Sequence, residues 1–257
     1  MTFWSRLQEP ATALVCGASR GIGLALSEQL LARPDVACVW ALARQAGQSE
    51  GLAALAVQHG ERLQRLDIDV TDETQLAELG LRLKAEIPRL HLLLCTVGVL
   101  QGGASKAEKG LAQLDLAGLQ ATFQVNAFAP ILLLKHLLPL LRGRHPCTFA
   151  ALSARVGSIG DNRLGGWYSY RASKAALNQL LHTASIELSR LNPQSSVLAL
   201  HPGTTDTELS RPFQANVPPA QLFEVSFTAQ RLLEQVERHG PEQSGSFWAW
   251  DGQPIEW

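Results

Sequence analysis

Thr12-Ala13-Leu14-Val15-Cys16-Gly17-Ala18-Ser19-Arg20-Gly21-Ile22-Gly23, followed by Leu24 to Ala32, is the stretch that decides the fold. Thr12 to Cys16 is a short apolar run and reads as a buried strand. Leu24 to Ala32 looks helical. Between them the glycines follow the pattern G-xxx-G-x-G, with no P-loop lysine. Strand, glycine turn and helix in that order is the context in which a glycine pattern holds phosphate. Glycine allows a tight turn and close backbone approach. The helix N-terminus then presents free N–H groups and a positive dipole end to a pyrophosphate. Gly17, Ser19, Arg20, Gly21, Ile22 and Gly23 are therefore candidate cofactor-binding residues.

The same alternation continues downstream. Val36 to Ala43 is a second apolar strand. A site selective for NAD usually has an acid after this strand, holding the ribose hydroxyls. Here Ala43 and Arg44 stand there instead. Arg44 and Arg20 together could hold a 2′-phosphate, which favours NADP over NAD. Ser49 to His59 reads as a helix, Arg65 to Val70 as a strand, and Asp72 to Ile87 as a helix with Thr71 as N-cap. Leu90 to Cys95 is another fully apolar strand. Strands apolar on both faces and separated by helices predict a parallel sheet covered on both sides. The expected class is a single α/β domain over residues 1–257, a doubly wound Rossmann-like sheet.

Gly102 to Gly110 reads as a loop, and Leu111 to Arg142 as largely helical. Within that helix Pro130 has no N–H, so the carbonyl of Asn126 loses its partner four residues on. Pro146 to Leu152 and Ser196 to His201 read as strands. Glu208 to Gln221, with three prolines, looks like an irregular flap; Phe223 to His239 is helical, and Ser246 to Trp250 could be an edge strand.

Trp167-Tyr168-Ser169-Tyr170-Arg171-Ala172-Ser173-Lys174 places a phenol and an ammonium four residues apart, on one face of a helix. A positive charge beside a phenol favours the phenolate, so Tyr170 and Lys174 read as a general acid/base pair. Tyr168 has no such partner, because Ala172 stands four residues on. Taken alone, the pair could be a surface helix pair.

Composition narrows the classes. Net charge is −1, which leaves no basic footprint for nucleic acid. Cys16, Cys38, Cys95 and Cys147 are scattered through apolar runs without a C-x-x-C, as expected of free thiols in a reducing cytoplasm. No signal peptide is visible after Met1, and Ile131 to Leu141 is too short and too interrupted to span a bilayer. That helix carries more apolar surface than one core should cover, which predicts a homodimer or homotetramer. The histidines show no metal-ligand spacing.

Together these pieces resemble the short-chain dehydrogenase/reductase family, in the branch of C-factor-like carbonyl reductases. The glycine turn, Asp69-Val70, Asn126, Tyr170 with Lys174, and Pro202-Gly203 with Thr205 and Thr207 stand in the family's order and roughly its spacing. The resemblance implies an NADP(H)-dependent oxidoreductase acting on a small aldehyde or ketone. Asp69 and Val70 would meet the adenine. Tyr170 would give a proton to the carbonyl oxygen, Lys174 would hold the ribose and lower the pKa of the phenol, and the Asn126 carbonyl would hold a water. Pro202 to Thr207 would cover the nicotinamide. Cys95-Thr96-Val97-Gly98 replaces the family's Asn-Asn-Ala-Gly; Val97 and Gly98 keep the backbone passage, with weaker side-chain bonding expected at the turn. Aligned through Gly157, the family's catalytic serine falls on Ala154. Three readings compete: Ser153 turns inward and serves, Ser158 takes over, or the site works without a serine; Ser153 is favoured narrowly over Ser158. A dinucleotide-binding signalling protein of the C-factor type, with little turnover, is the alternative.

Overall fold

The computed structural model describes residues 2–257. Nine strands and seven α-helices follow one another as β1 (Ala11–Cys16), α1 (Gly21–Leu31), β2 (Val36–Ala43), α2 (Glu50–His59), β3 (Leu63–Asp67), α3 (Glu73–Glu86), β4 (Leu92–Cys95), α4 (Leu116–Phe123), α5 (Ala129–Leu141), β5 (Cys147–Leu152), α6 (Tyr168–Leu191), β6 (Ser195–His201), β7 (Thr204–Thr205), β8 (Leu222–Phe223), α7 (Val225–Arg238) and β9 (Ser246–Ala249) among the described residues. Seven strands form one sheet in the order β3-β2-β1-β4-β5-β6-β9, every pair parallel.

Strand alternation divides the core into two layers. Leu14 and Cys16 of β1 face one layer with α3, α5 and α6, through Leu76, Leu133 and Leu177. Ala13 and Val15 face the other, with α1, α2 and α7, through Leu26, Leu52 and Leu232. Both faces are therefore dry, which is why these strands are continuous apolar runs. The chain runs outward from β1 to β3 on one side and from β4 to β9 on the other. The reversal leaves a crevice at the carboxyl ends of β1 and β4, where α/β sheets bind ligands.

Several sequence expectations shift. The third strand starts at Leu63 and ends at Asp67, so Asp69 and Val70 lie in the turn that follows. Asp72, not Thr71, caps α3: its carboxylate accepts from the N–H groups of Thr74 and Gln75, while Thr71 donates to Asp69. A carboxylate can take two orphan donors and also suits the positive helix end. Phe223 belongs to β8, and its helix begins at Val225.

The long helix is continuous from Leu116 to Leu141, with a five-residue π segment from Gln124 to Phe128 just before Pro130. At 26 residues it is long and apolar enough to cross a bilayer, contrary to the expectation from Ile131–Leu141 alone, yet half of its most apolar stretch is buried inside the protein. Leu133, Leu134, Leu137, Leu140 and Leu141 are core, and Ile131, Leu132 and Leu138 pack against that core. Much of the apolar surface from which an oligomer was inferred is thus covered by the chain itself, with Ile131, Leu132 and Leu138 only partly buried.

Candidate active site

The glycine turn wraps the end of β1. Gly17 has φ +87°, and a Cβ on Gly23 would lie 2.2 Å from the Gly17 carbonyl oxygen, so the first turn of α1 sits directly on the loop. The N–H groups of that turn have no partners within the helix and open toward the crevice. Thr96, at the end of β4, donates its hydroxyl to the carbonyl of Cys16 at 2.8 Å. Side-chain bonding at this turn is therefore kept by a threonine, against the expectation that it would weaken. Val97 packs against the core beside it.

Thr207 stands over the same turn, its methyl 3.4 Å from where a Cβ of Gly21 would be. Thr205 is buried and bonds Thr228 at 2.9 Å, and the β7–β8 pair fixes the backbone after Pro202-Gly203. The flap that follows is not irregular: two 3-10 turns, Arg211–Asn216 and Pro219–Gln221, carry it back to β8. Its first residue, Glu208, makes an ion pair with Arg20 at 2.5 Å. The expected phosphate ligand Arg20 is thus held by the flap, while Arg44 lies exposed after β2. Asp67, the register partner of Ala43, is an acid at this end of the crevice that the sequence reading passed over; it accepts from the Gly47 N–H at 2.8 Å. Asp69 accepts from Thr71, and the Thr71 carbonyl accepts from Gln124, tying this turn to the π segment.

Asn126 sits in the π segment and is fully buried. Its side chain, rather than its carbonyl, carries the visible bonding. The oxygen accepts from the Val99 N–H at 2.8 Å, and the amide donates to the Val99 carbonyl at 2.8 Å and to the Ser173 hydroxyl at 3.0 Å. Ser173 in turn donates to the Tyr170 carbonyl at 2.8 Å. Asn126 therefore pins the loop after β4 to the middle of α6. A side chain on Gly98 would lie 3.6 Å from the Lys174 nitrogen and 3.7 Å from the Asn126 oxygen, so these three residues meet at one point.

Tyr170 and Lys174 are both buried on successive turns of α6, with the ammonium 5.8 Å from the phenol ring centre. Lys174 donates to the Leu152 carbonyl at the end of β5, 2.8 Å away. Burial pulls the Lys174 ammonium down to about 8 and pushes the Tyr170 phenol up. The expected lowering of the phenol by its neighbour is absent here: removal of water from the hydroxyl sets the direction.

Ser153 is buried and donates to the Asn178 side-chain oxygen at 2.6 Å. Ser158 is also buried, and its oxygen accepts from the Asp161 N–H at 3.1 Å. The residue that packs with Tyr170 is Ala154, in a small cluster with Leu100. Ala107, Val156, Trp167, Leu209 and Phe213 complete this apolar wall. Ser153, favoured as the neighbour of the aligned position, thus has its hydroxyl bonded to α6.

A parallel sheet with a phosphate-type glycine turn at its switch point, and a buried tyrosine–lysine pair in the same crevice, defines an oxidoreductase of the kind that binds a nicotinamide dinucleotide. The family model described as short chain dehydrogenase matches residues 11–218, and the chain belongs to that family. It is 30% identical over 253 residues to 1-hydroxy-2-glutathionyl-2-methyl-3-butene dehydrogenase of Rhodococcus sp. (strain AD45), covering 96% of this chain and 100% of that one. It is 32% identical over 156 residues to C-signal of Myxococcus xanthus, covering 60% of this chain and 88% of that one. Among solved structures it resembles an NADPH-bound carbonyl reductase from chicken fatty liver, with a TM-score of 0.81, 29% identity, and 98% and 100% of the two chains covered. The protein is a reductase of the short-chain dehydrogenase kind.

Proposed function

We propose that this enzyme reduces an aldehyde or ketone with NADPH, with Tyr170 as the proton donor. One observation carries the reading: a phenol and an ammonium, both buried, stand on successive turns of one helix beside an apolar wall. When bound, the reduced nicotinamide supplies a hydride to the carbonyl carbon. The residues present fit such a cofactor. The first turn of α1 offers N–H groups to the pyrophosphate, and Gly98 leaves open backbone beside Lys174. In this reading Asp69 and Val70 would meet the adenine, Arg20 and Arg44 would hold the 2′-phosphate, and Pro202 to Thr207 would cover the nicotinamide.

Burial keeps the proton on Tyr170, which suits donation to a carbonyl oxygen. The Leu152 carbonyl aims the Lys174 ammonium, and Asn126 with Ser173 holds the backbone of Tyr170. Ser153 and Ser158 are engaged elsewhere, so the site runs with the phenol as its side-chain donor beside Ala154. The wall of Leu100, Val156, Trp167, Leu209 and Phe213 suits an uncharged, partly apolar carbonyl.

The test is NADPH consumption against a panel of small carbonyls by the wild-type protein and Tyr170→Phe. A loss of roughly 10²-fold or more in kcat is the expected result, in line with removal of a general acid. Equal rates would remove the proposed acid. Tight NADPH binding by calorimetry with no turnover of any carbonyl would instead support the signalling alternative, which the missing serine favours.

A further inference from the structure

Among the described residues, two of the aspartates, glutamates, lysines and arginines are buried: Lys174 and Glu108, each 2% exposed. Lys174 belongs to the site above. Glu108 lies in the loop after β4, between two lysines, in a sequence context that looks solvated. Its carboxylate accepts from the Ser169 hydroxyl and, at 3.3 Å, from the Ser169 N–H. Its backbone carbonyl accepts from the Trp167 N–H at 2.5 Å. Trp167 has φ +49°, the left-handed conformation that a bulky residue adopts only under constraint.

Trp167 begins α6 without any side-chain cap, so a group 61 residues away in sequence supplies one. A carboxylate accepts from both Ser169 donors at once and suits the positive end of the helix. Ser169 immediately precedes Tyr170, and Trp167 packs edge-on against the Tyr170 ring at 6.4 Å. Ala107, next to Glu108, touches the apolar cluster around Tyr170 and lines a cleft of about 780 Å³ in the same loop.

We propose that Glu108 is a positioning residue for the reaction: it clamps the first turn of α6 through Ser169 and so fixes Tyr170 and Trp167. This rests on the reductase reading above.

The test follows kcat, KM and NADPH affinity in Glu108→Gln and Glu108→Ala, with NADPH and the carbonyl turned over best by the wild-type enzyme. Glu108→Ala should lower kcat at least about tenfold with NADPH affinity changed less than about threefold, the size expected for loss of positioning alone. Glu108→Gln keeps an acceptor for Ser169 and should recover most of kcat. Near wild-type kcat in Glu108→Ala, or a kcat in Glu108→Gln as low as in Glu108→Ala, would overturn the proposal. Should Glu108→Ala fail to fold, Ser169→Ala, which removes the hydroxyl that Glu108 holds, takes its place with the same expected split.

A second readout needs no turnover. The chain has two tyrosines, so Tyr168→Phe leaves Tyr170 as its single phenol. Fluorotyrosine incorporated there reports the surroundings of the ring by fluorine NMR. Glu108→Ala should shift or broaden that resonance, and Glu108→Gln should restore it. An unchanged resonance in Glu108→Ala would sink the proposal. A moved resonance in a protein that reduces no carbonyl would sink the reductase reading and leave the positioning role of Glu108 standing.

Discussion

The Ser153 hydroxyl donates to the side-chain oxygen of Asn178 at 2.6 Å, so the serine nearest the end of β5 is bonded into α6 while Ala154 packs beside Tyr170. Ser153→Ala should therefore leave kcat within about threefold of wild type. It should instead cost about 1–3 kcal/mol of stability, because a buried acceptor loses its partner. Ala154→Ser should act in the opposite way, raising kcat on the order of tenfold by adding a second donor near the carbonyl oxygen. Steady-state kinetics and thermal melts on the two variants check both halves.

Lys174 makes cofactor-free stability depend on pH. Its folded value of about 8 lies below the ordinary lysine value of 10.5, so the unfolded chain binds the extra proton between those two values. Stability of the wild type accordingly rises with pH across that window, and below it the burial penalty is fully present. Lys174→Met removes a penalty of roughly 3 kcal/mol and should melt higher than wild type at pH 7, with catalysis lost. The gap should close as pH rises from about 8 toward 10.5. A variant that melts lower at pH 7 would contradict this.

Cofactor choice should turn on the arginines. Arg20 is paired with Glu208 on the surface, a contact worth little by itself and weakened by salt. Glu208→Gln frees Arg20 and should tighten NADPH binding severalfold at low ionic strength, and less at high. Arg44→Asp puts an acid where ribose hydroxyls would be held and should reverse the ratio of NADPH to NADH affinity. Calorimetry with both cofactors at two salt concentrations measures these effects.

Trp167 and Phe213 pack with ring centres 5.3 Å apart in the wall near Tyr170. Phe213→Ala should raise KM for aromatic aldehydes by roughly tenfold, the scale of one lost aromatic contact. A small aliphatic aldehyde should show little change in KM. Equal effects on the two substrates would place Phe213 outside the binding surface.

Much of this architecture was legible because its strands are buried on both faces. Val36–Ala43 and Leu92–Cys95 stand out as unbroken apolar runs, and the glycine turn between β1 and α1 has its own pattern. Tyr170 with Lys174 was legible because helical spacing alone brings them to one face. What stayed hidden depends on contacts distant in sequence. Glu108 shows nothing in its own neighbourhood, since its partner lies on α6. The bond of Ser153 to Asn178 was not legible, because the sense of a side chain just past a strand end is set by the helix it meets. What covers α5 could not be read from its composition: an apolar helix looks the same against its own sheet or against another subunit.

The π segment between α4 and α5 holds a backbone bond from Ala129 to Gln124, one residue longer than an α-helical step. The helix thus contains one residue more than a regular ladder would take up. Deleting that surplus, for instance Ala127, would let a plain α-helix form with its two flanks keeping their mutual orientation, because the wide turn takes up the extra residue without advancing the helix. The α5 leucines would keep their seats on the sheet, while Asn126, which lies in the wide turn, would be displaced from Val99. The count of residues in this helix is therefore as constrained as their identity: the extra one seats Asn126, and deleting it should cost that placement rather than the helix.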